Sequence, residues 1–180
     1  MKTIPASLVV ARFNEDSGWL NKLEFQRGLF IYDKGERAGN YSKSLPNFGR
    51  EANTYLAHIA EHYGQISGDV IFCQGHPLDH CPDFAELIRD EQIKLYGDVL
   101  DCTIGGAYDQ RSLVHEYCKV FGLPVEPIYR FVAGAQFRVT TEQIHARPRE
   151  FYTALFWATF VDPEAAYTLE RLWPTIFGII

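Results

Sequence analysis

Asp69-Val70-Ile71-Phe72-Cys73 runs directly into Gln74-Gly75-His76-Pro77-Leu78-Asp79-His80. The first five residues form a mainly apolar run that is typical of a buried strand, and Gly75 and Pro77 predict a sharp turn directly after it. In an open α/β sheet, ligands bind beyond the carboxyl ends of the strands. We therefore expect the loop that follows Cys73 to lie at a functional site.

Other segments of the chain alternate between strand and helix patterns. Strand patterns occur at 7–12, at 29–32 and, around a glycine, at 130–139; helix patterns begin near Trp19 and occur at 49–63, 83–89, 112–121, 142–146, 148–160 and beyond Asp162. Asn47 is a candidate cap for the helix that follows it. The alternation predicts an α/β fold, a three-layer α/β/α sandwich with a mostly parallel sheet.

Length and composition bound the class of protein. A chain of 180 residues is long enough for one core and short for two, which predicts a single domain over 1–180. Hydrophobic residues make up 47%, but no apolar run approaches the ~20 residues that span a bilayer, and the N-terminus does not resemble a signal peptide. The four cysteines form no Cys-x-x-Cys pair. We therefore expect reduced thiols, a cytoplasmic location and no membrane span.

The charge pattern favours a small-molecule ligand. A net charge of -6 gives no sequence-wide basic surface for nucleic acid, which we do not expect as a partner. Several cations nevertheless occur in the first third of the chain, where they could form a local pocket for an anion: Arg12, Lys34, Arg37, Lys43 and Arg50.

His76, Asp79 and His80 are the candidate metal ligands and a candidate proton-transfer group. Imidazole and carboxylate both bind Mn, Mg or Zn ions, and a turn at Pro77 could aim the three side chains at one point. The alternative is that these side chains only fix the loop by hydrogen bonds or contact a substrate.

Two further groups of polar residues are candidate ligand contacts. Asn14, Glu15 and Asp16 follow the first strand and could contact a ribose or base, or simply cap the next helix. Arg50, in the first turn of its helix, could bind phosphate together with free backbone amides, or form a surface ion pair with Glu51 or Glu15.

Glu150 and Glu170 are candidate general bases if they face a cleft, and solvated charges otherwise. His58 and His62 lie four residues apart on one helix face. We interpret this pair as a partly exposed face near the helix end.

Blocks along nearly the whole chain resemble an uncharacterised family, a domain of unknown function. The blocks are VVARFNED at 9–16, LPNFGREA at 45–52, FCQGHPLDH at 72–80, GAQF at 134–137, RPREFY at 147–152 and ERLW at 170–173. The first block also resembles the opening strand and loop of GT-A-type glycosyltransferases, which hold the nucleotide of a nucleotide sugar.

The second resemblance implies a GT-A-like, Rossmann-related fold and a nucleotide-sugar donor. The residues implied in binding it are Arg12, Asn14, Glu15, Asp16, Arg50, Gln74 and Gln136. GT-A enzymes usually carry a metal-binding Asp-x-Asp element after the central strand, whereas this chain has Gln74-Gly75-His76 there.

The function expected from the sequence is the transfer of a sugar from a nucleotide-sugar donor to an acceptor hydroxyl. The alternatives are a metal-dependent hydrolase built on His76, Asp79 and His80, and a non-catalytic module that binds a nucleotide or carbohydrate. The sequence leaves the donor, the acceptor and the oligomeric state open.

Overall fold

A computed structural model describes residues 3–35, 43–89 and 95–179 of the chain. The strands are β1 (Ala6–Arg12), β2 (Gly28–Asp33), β3 (Lys43–Ser44), β4 (Asp69–Gln74), β5 (Val99–Cys102), β6 (Tyr129–Val132) and β7 (Phe137–Val139). The α-helices are α1 (Arg50–His62), α2 (Phe84–Leu87), α3 (Arg111–Phe121), α4 (Thr141–His145), α5 (Arg149–Val161) and α6 (Ala165–Phe177), and 3₁₀ turns occupy Gly18–Lys22 and Pro77–Asp79. None of the described helices combines the length and apolarity needed to cross a membrane.

The main sheet has five strands in the order β3-β2-β1-β4-β7. Strand β1 pairs in parallel with β2 on one edge and with β4 on the other, and β3 pairs in parallel with β2. Strand β7 runs antiparallel to β4, and β5 and β6 form a separate antiparallel pair. The fold is α/β as expected, but the sheet is mixed, so the expectation of a mostly parallel sheet is wrong.

The direction of β7 follows from where its chain enters the sheet. The segment 130–139, expected to be one strand-like run, is broken by Gly134 and Ala135, whose φ angles are 84° and 50°. Directly before β7, the Gln136 amide donates to the carbonyl of Pro77, in the loop beyond the carboxyl end of β4. Strand β7 therefore starts where β4 ends, which makes the pairing antiparallel.

The central strand is buried on both faces. Val9 and Ala11 pack in one apolar cluster with side chains of α1, α5 and α6, whereas Leu8 and Val10 pack in a second cluster. The second cluster is covered by the turn Gly18–Lys22 and by α2, which has four residues. Helices thus flank the sheet, but the full outer helical layers of a three-layer sandwich are not confirmed.

His58 on α1 is buried, so the expectation that it lies on a partly exposed face is wrong. Its Nδ1 atom lies 2.9 Å from the hydroxyl of Tyr32, and its ring contacts Phe30 edge-on at 4.8 Å between centroids. Burial, and to a smaller extent the charge of His62, lowers the pKa of His58 to about 3. The imidazole is therefore neutral in the folded protein at neutral pH.

The start of α1 is pressed against α5. The helix is capped by Gly49, which has φ 58°, and not by Asn47 as the sequence suggested. A β-carbon at Gly49 would lie 2.5 Å from Cβ of Thr159. In the next turn, the amide of Asn53 donates to the Thr159 hydroxyl at 2.8 Å. Only glycine fits both the left-handed backbone and the space at this position.

We expect His58→Gln to remove a part of the acid sensitivity of folding. Because the folded-state pKa of His58 is depressed, its contribution to stability is present above pH 6.5 and is lost as the pH falls from 6.5 toward 3. Between pH 6.5 and 4.5 the natural protein should lose about 2 kcal/mol more free energy of unfolding than the variant. Urea unfolding at both pH values measures this, and His62→Gln is the matched control that should retain most of the loss. Parallel pH curves for His58→Gln and the natural protein would contradict the interpretation.

We expect Gly49→Ala to destabilise the protein by about 2–4 kcal/mol, since a left-handed non-glycine residue and an overpacked contact with Thr159 both add to the cost. Gly64→Ala is the control, because a β-carbon there meets no atom within 4 Å. Thermal and urea unfolding of both variants measure the difference. Equal stability of the two variants would mean that α1 and α5 are not in contact at Gly49.

Candidate functional site

A cleft lies at the carboxyl edge of the parallel strands. Its main cavity, of about 240 Å³, is lined by the ends of β1 and β4, by the residue after β2 and by the start of α1: Ala11, Arg12, Phe13, Glu15, Lys34, Asn47, Arg50, Glu51 and Gln74. A side cavity of about 110 Å³ is lined by Arg50, Glu51, Gln74, His80, Ala133, Gly134, Tyr167 and Glu170. Because Arg50, Glu51 and Gln74 line both, the two cavities form one cleft.

The topology explains the position of the cleft. Strand β1 has β2 on one edge and β4 on the other, so the chain that leaves β1 turns to one side while β4 lies on the opposite side. The strand order therefore reverses at β1, and the carboxyl edge at such a reversal is the usual ligand site of open α/β sheets. Gln74 and His80, from the segment after Cys73 that the sequence singled out, line this cleft.

The loop after β1 is held together by its own charges. The Arg12 guanidinium forms an ion pair with Asp33 at 2.8 Å and donates to the carbonyl of Glu15, also at 2.8 Å. The Glu15 carboxylate accepts from the backbone amide of Phe13. Gly75, in the loop after β4, packs closely against this loop. A β-carbon at Gly75 would lie 2.5 Å from the Glu15 carboxylate. Arg12 and Glu15 therefore line the main cavity but already have protein partners.

Asn14 and Asp16 line neither cavity. Asn14 has a left-handed backbone, with φ 62°. The Asp16 carboxylate accepts from the amide of Gly18 at 2.9 Å, at the start of the turn Gly18–Lys22. This contact fits the alternative in which the segment only caps the next helix and does not contact a ligand.

Lys34 is a buried cation whose ammonium is fully used by the segment around the start of α1. It donates to the carbonyls of Phe48, at 2.6 Å, and Arg50, and to the side-chain oxygen of Asn53 at 3.2 Å. Burial lowers the pKa of Lys34 to about 8, although the negative charge of Glu51 opposes the shift. The three hydrogen bonds join the end of β2 to α1 across the floor of the main cavity.

Arg50 is the accessible cation of the cleft. Its backbone has φ 47°, and its side chain is 57% exposed. The guanidinium donates to the Tyr167 hydroxyl at 2.7 Å and lies over the Tyr167 ring, 5.0 Å from the centroid. Its Nε atom is 3.6 Å from the Glu51 carboxylate, so the expected ion pair is present but long.

The other predicted cations do not add to the cleft. Lys43 forms a surface ion pair with Glu61 at 2.8 Å. Arg37 lies outside the described residues.

Glu51 is the functional candidate that sequence reasoning missed. Its side chain is only 10% exposed and lines both cavities. Burial raises the pKa of Glu51 to about 7, and the charge of Glu170 adds to the shift, whereas Arg50 and Lys34 oppose it. In the sequence Glu51 is one more charged residue at a helix start, and only its position beside Gly49-Arg50 singles it out.

Glu170 reaches the cleft, and Glu150 does not. The Glu170 carboxylate lines the side cavity and accepts from the Gly134 amide at 2.7 Å. Burial raises its pKa, while that hydrogen bond and the charge of Arg171 oppose the shift. Glu150 is exposed in the first turn of α5 and lines neither cavity. Of the two predicted bases, Glu170 is therefore the one that the fold brings to the site.

The three predicted metal ligands are divided between two environments. His76 and Asp79 pair with each other, Nδ1 to Oδ1 at 3.0 Å, with side chains 41% and 71% exposed. His80 lines the side cavity. Within residues 3–35, 43–89 and 95–179, no group of three or more His, Cys, Asp or Glu side chains could hold a metal ion. The pairing of His76 with Asp79 fits the loop-fixing alternative.

The two predicted glutamine contacts differ in position. Gln74 lines both cavities. Gln136 is fully buried, and its amide donates to the Pro77 carbonyl at 3.2 Å, so it supports the loop after β4 from beneath and does not line the cleft.

We expect Glu51→Gln to stabilise the protein at alkaline pH. A raised folded-state pKa means that the contribution of Glu51 to stability is fully present below pH 4.5 and is lost as the pH rises through about 7. Relative to the natural protein, the variant should gain about 2–3 kcal/mol in free energy of unfolding between pH 4.5 and 8. Urea unfolding at the two pH values measures the gain, and Glu116→Gln, on the exposed side of α3, should show none. A Glu51→Gln curve that follows the natural protein would place the carboxylate in solvent.

Comparison with known proteins finds a family match over part of the chain and no activity. Residues 8–95 match the family described as Protein of unknown function (DUF3431). The matched segment includes Lys34, Arg50, Glu51 and Gln74 but ends before Gly134 and Glu170. No curated protein and no solved structure matches the chain, and the resemblance to glycosyltransferases has no support from these comparisons. The expected resemblance to an uncharacterised family is thus confirmed over residues 8–95, and DUF3431 is the family that this part of the chain matches.

Proposed function

We propose that the protein transfers a sugar from a nucleotide-sugar donor to an acceptor hydroxyl, with Glu51 as the general base. The observation that carries the proposal is the nearly buried Glu51 carboxylate, with a pKa of about 7, at the place where the two cavities meet. Perturbed carboxylates in clefts are characteristic of active sites.

The pKa of Glu51 suits the removal of a proton from a hydroxyl. General bases are most effective when their pKa lies near the working pH, and a carboxylate with an ordinary pKa is a weaker base. An acceptor in one cavity and a donor in the other would both lie beside Glu51. The acceptor oxygen then bonds to the anomeric carbon as the bond to the diphosphate breaks, and Glu51 takes the hydroxyl proton.

The start of α1 supplies the positive field for the departing diphosphate. Gly49 offers no side-chain cap, and the 13-residue helix begins at Arg50. Free amides at a helix start and an accessible guanidinium both bind phosphate oxygens. Lys34 contributes only through its charge, because its ammonium donates three hydrogen bonds to the protein. The Nε and Nη1 atoms of Arg12 are paired with Glu15 and Asp33.

A resident divalent cation does not fit the side chains of the cleft. The described residues contain no group of three or more potential ligands, and the His76 ring is paired with the Asp79 carboxylate at 3.0 Å. The proposed reaction therefore has no step through a metal. For the same reason the geometry adds no support to the metal-dependent hydrolase considered from the sequence.

The proposal is tested by turnover of a panel of nucleotide sugars, measured as release of free nucleoside diphosphate. We expect one donor to be consumed, and Glu51→Gln to lower kcat at least 100-fold with little change in KM for the donor, as the loss of a general base does. Glu150→Gln should behave like the natural protein, since Glu150 lies on the exposed side of α5.

The other outcomes separate the alternatives. Turnover by Glu51→Gln at the natural rate would remove Glu51 from the reaction. Donor binding without turnover would favour the binding module. Turnover that appears only with added Mn²⁺ and is abolished by a chelator would contradict the metal-free reaction.

A further inference from the structure

We propose that the side cavity is a subsite for a neutral sugar ring, which makes the acceptor of the proposed reaction a carbohydrate. The role of this sugar as the acceptor rests on the proposed function. The binding of the sugar itself rests only on the side chains that line the side cavity.

The charges of the side cavity argue against an anionic ligand. Its lining holds two carboxylates, Glu51 and Glu170, and one guanidinium, Arg50. The main cavity has three cations, Arg12, Lys34 and Arg50, and two carboxylates, Glu15 and Glu51. A phosphorylated group is therefore favoured in the main cavity and opposed in the side cavity, which leaves the latter to an uncharged molecule.

The side cavity presents hydrogen-bond donors and acceptors close together. The Gln74 amide and the His80 ring can each donate and accept, Arg50 donates, and the Glu51 carboxylate accepts. Each hydroxyl of a sugar is both a donor and an acceptor, so adjacent hydroxyls need such a mixed lining. A purely acidic or purely basic pocket would leave part of them without partners.

Tyr167 gives the side cavity an aromatic surface. It is 38% exposed on α6, and its position is fixed by Arg50, which lies over the ring and donates to the hydroxyl. A tyrosine held in this way offers an apolar ring with a polar tip. A sugar matches it, because the C–H groups of the sugar are apolar and its hydroxyls are polar.

Gly134 leaves another part of the side cavity lining without a side chain. Its backbone is left-handed, with φ 84°, and a β-carbon there would lie 3.0 Å from the His80 ring. Glu170 holds this turn by accepting from the Gly134 amide. This part of the lining is therefore bare backbone that a ligand can approach closely, as glycine commonly allows at binding sites.

The junction of the cavities explains why a sugar here would be an acceptor. Glu51 lines both cavities, so a ring in the side cavity would have a hydroxyl within reach of the base, while the main cavity stays free for the donor.

The test is saturation-transfer NMR with the methyl glycosides of glucose, galactose and mannose at millimolar concentration, without any donor. We expect at least one glycoside to bind the natural protein, and Tyr167→Ala to weaken that binding at least 10-fold. Tyr108→Ala is the matched control, because Tyr108 is similarly exposed, at 41%, and lines neither cavity. Tyr167→Phe, which keeps the ring, should retain part of the binding and serves if the alanine variant does not fold.

Absence of binding by all three glycosides, or equal binding by Tyr167→Ala and the natural protein, would overturn the inference. Binding of glucosamine with no binding of the neutral glycosides would also overturn it, since the ligand class would then be cationic. Nucleotide binding to the same variants is measured separately, so a protein that binds sugars without using any nucleotide sugar would refute the proposed function and leave the subsite standing.

Discussion

Strand β1 is enclosed on all sides, with β2 and β4 on its edges and apolar clusters on both faces. This burial is the constraint on which the rest of the structure depends. Ser7 is the one polar residue between Ala6 and Ala11 of this strand, and the other polar residues of this region collect where the strands end. The cleft lies at that edge, beside the strand at which the sheet order reverses.

Two buried groups of opposite charge, Lys34 and Glu51, line the main cavity. Burial lowers the pKa of Lys34 and raises that of Glu51, so it disfavours the charged form of each. The Lys34 ammonium is satisfied by three acceptors near the start of α1. A backbone hydrogen bond and the Arg50 guanidinium, at 3.6 Å, lower the pKa of Glu51, but burial outweighs both. The first arrangement stabilises the backbone around Arg50, and the second leaves a carboxylate able to exchange a proton with a ligand.

The sequence predicted where many of the cleft residues lie, but it did not predict which contacts their side chains make. The loops after β1 and β4 and the start of α1 were recognisable from strand ends and a glycine-led helix, and Arg12, Glu15, Arg50 and Gln74 do line the main cavity. Arg12 and Glu15, however, form hydrogen bonds within their own loop, and Gln136 is buried and does not line the cleft. A one-dimensional pattern identifies a polar loop, but which of its side chains pair with one another depends on distances that only the folded chain defines.

By itself, the sequence determined the local elements: the apolar runs of β1 and β4, the helix at α1 and the polar loops between them, because hydrophobic period and turn residues act over a few neighbours. Only the tertiary structure decided that β7 runs antiparallel, that His58 is buried against Tyr32 and that Glu51 faces both cavities. Each of these depends on segments far apart in the chain, since the burial of a titratable group is set by what packs over it and not by the residues beside it.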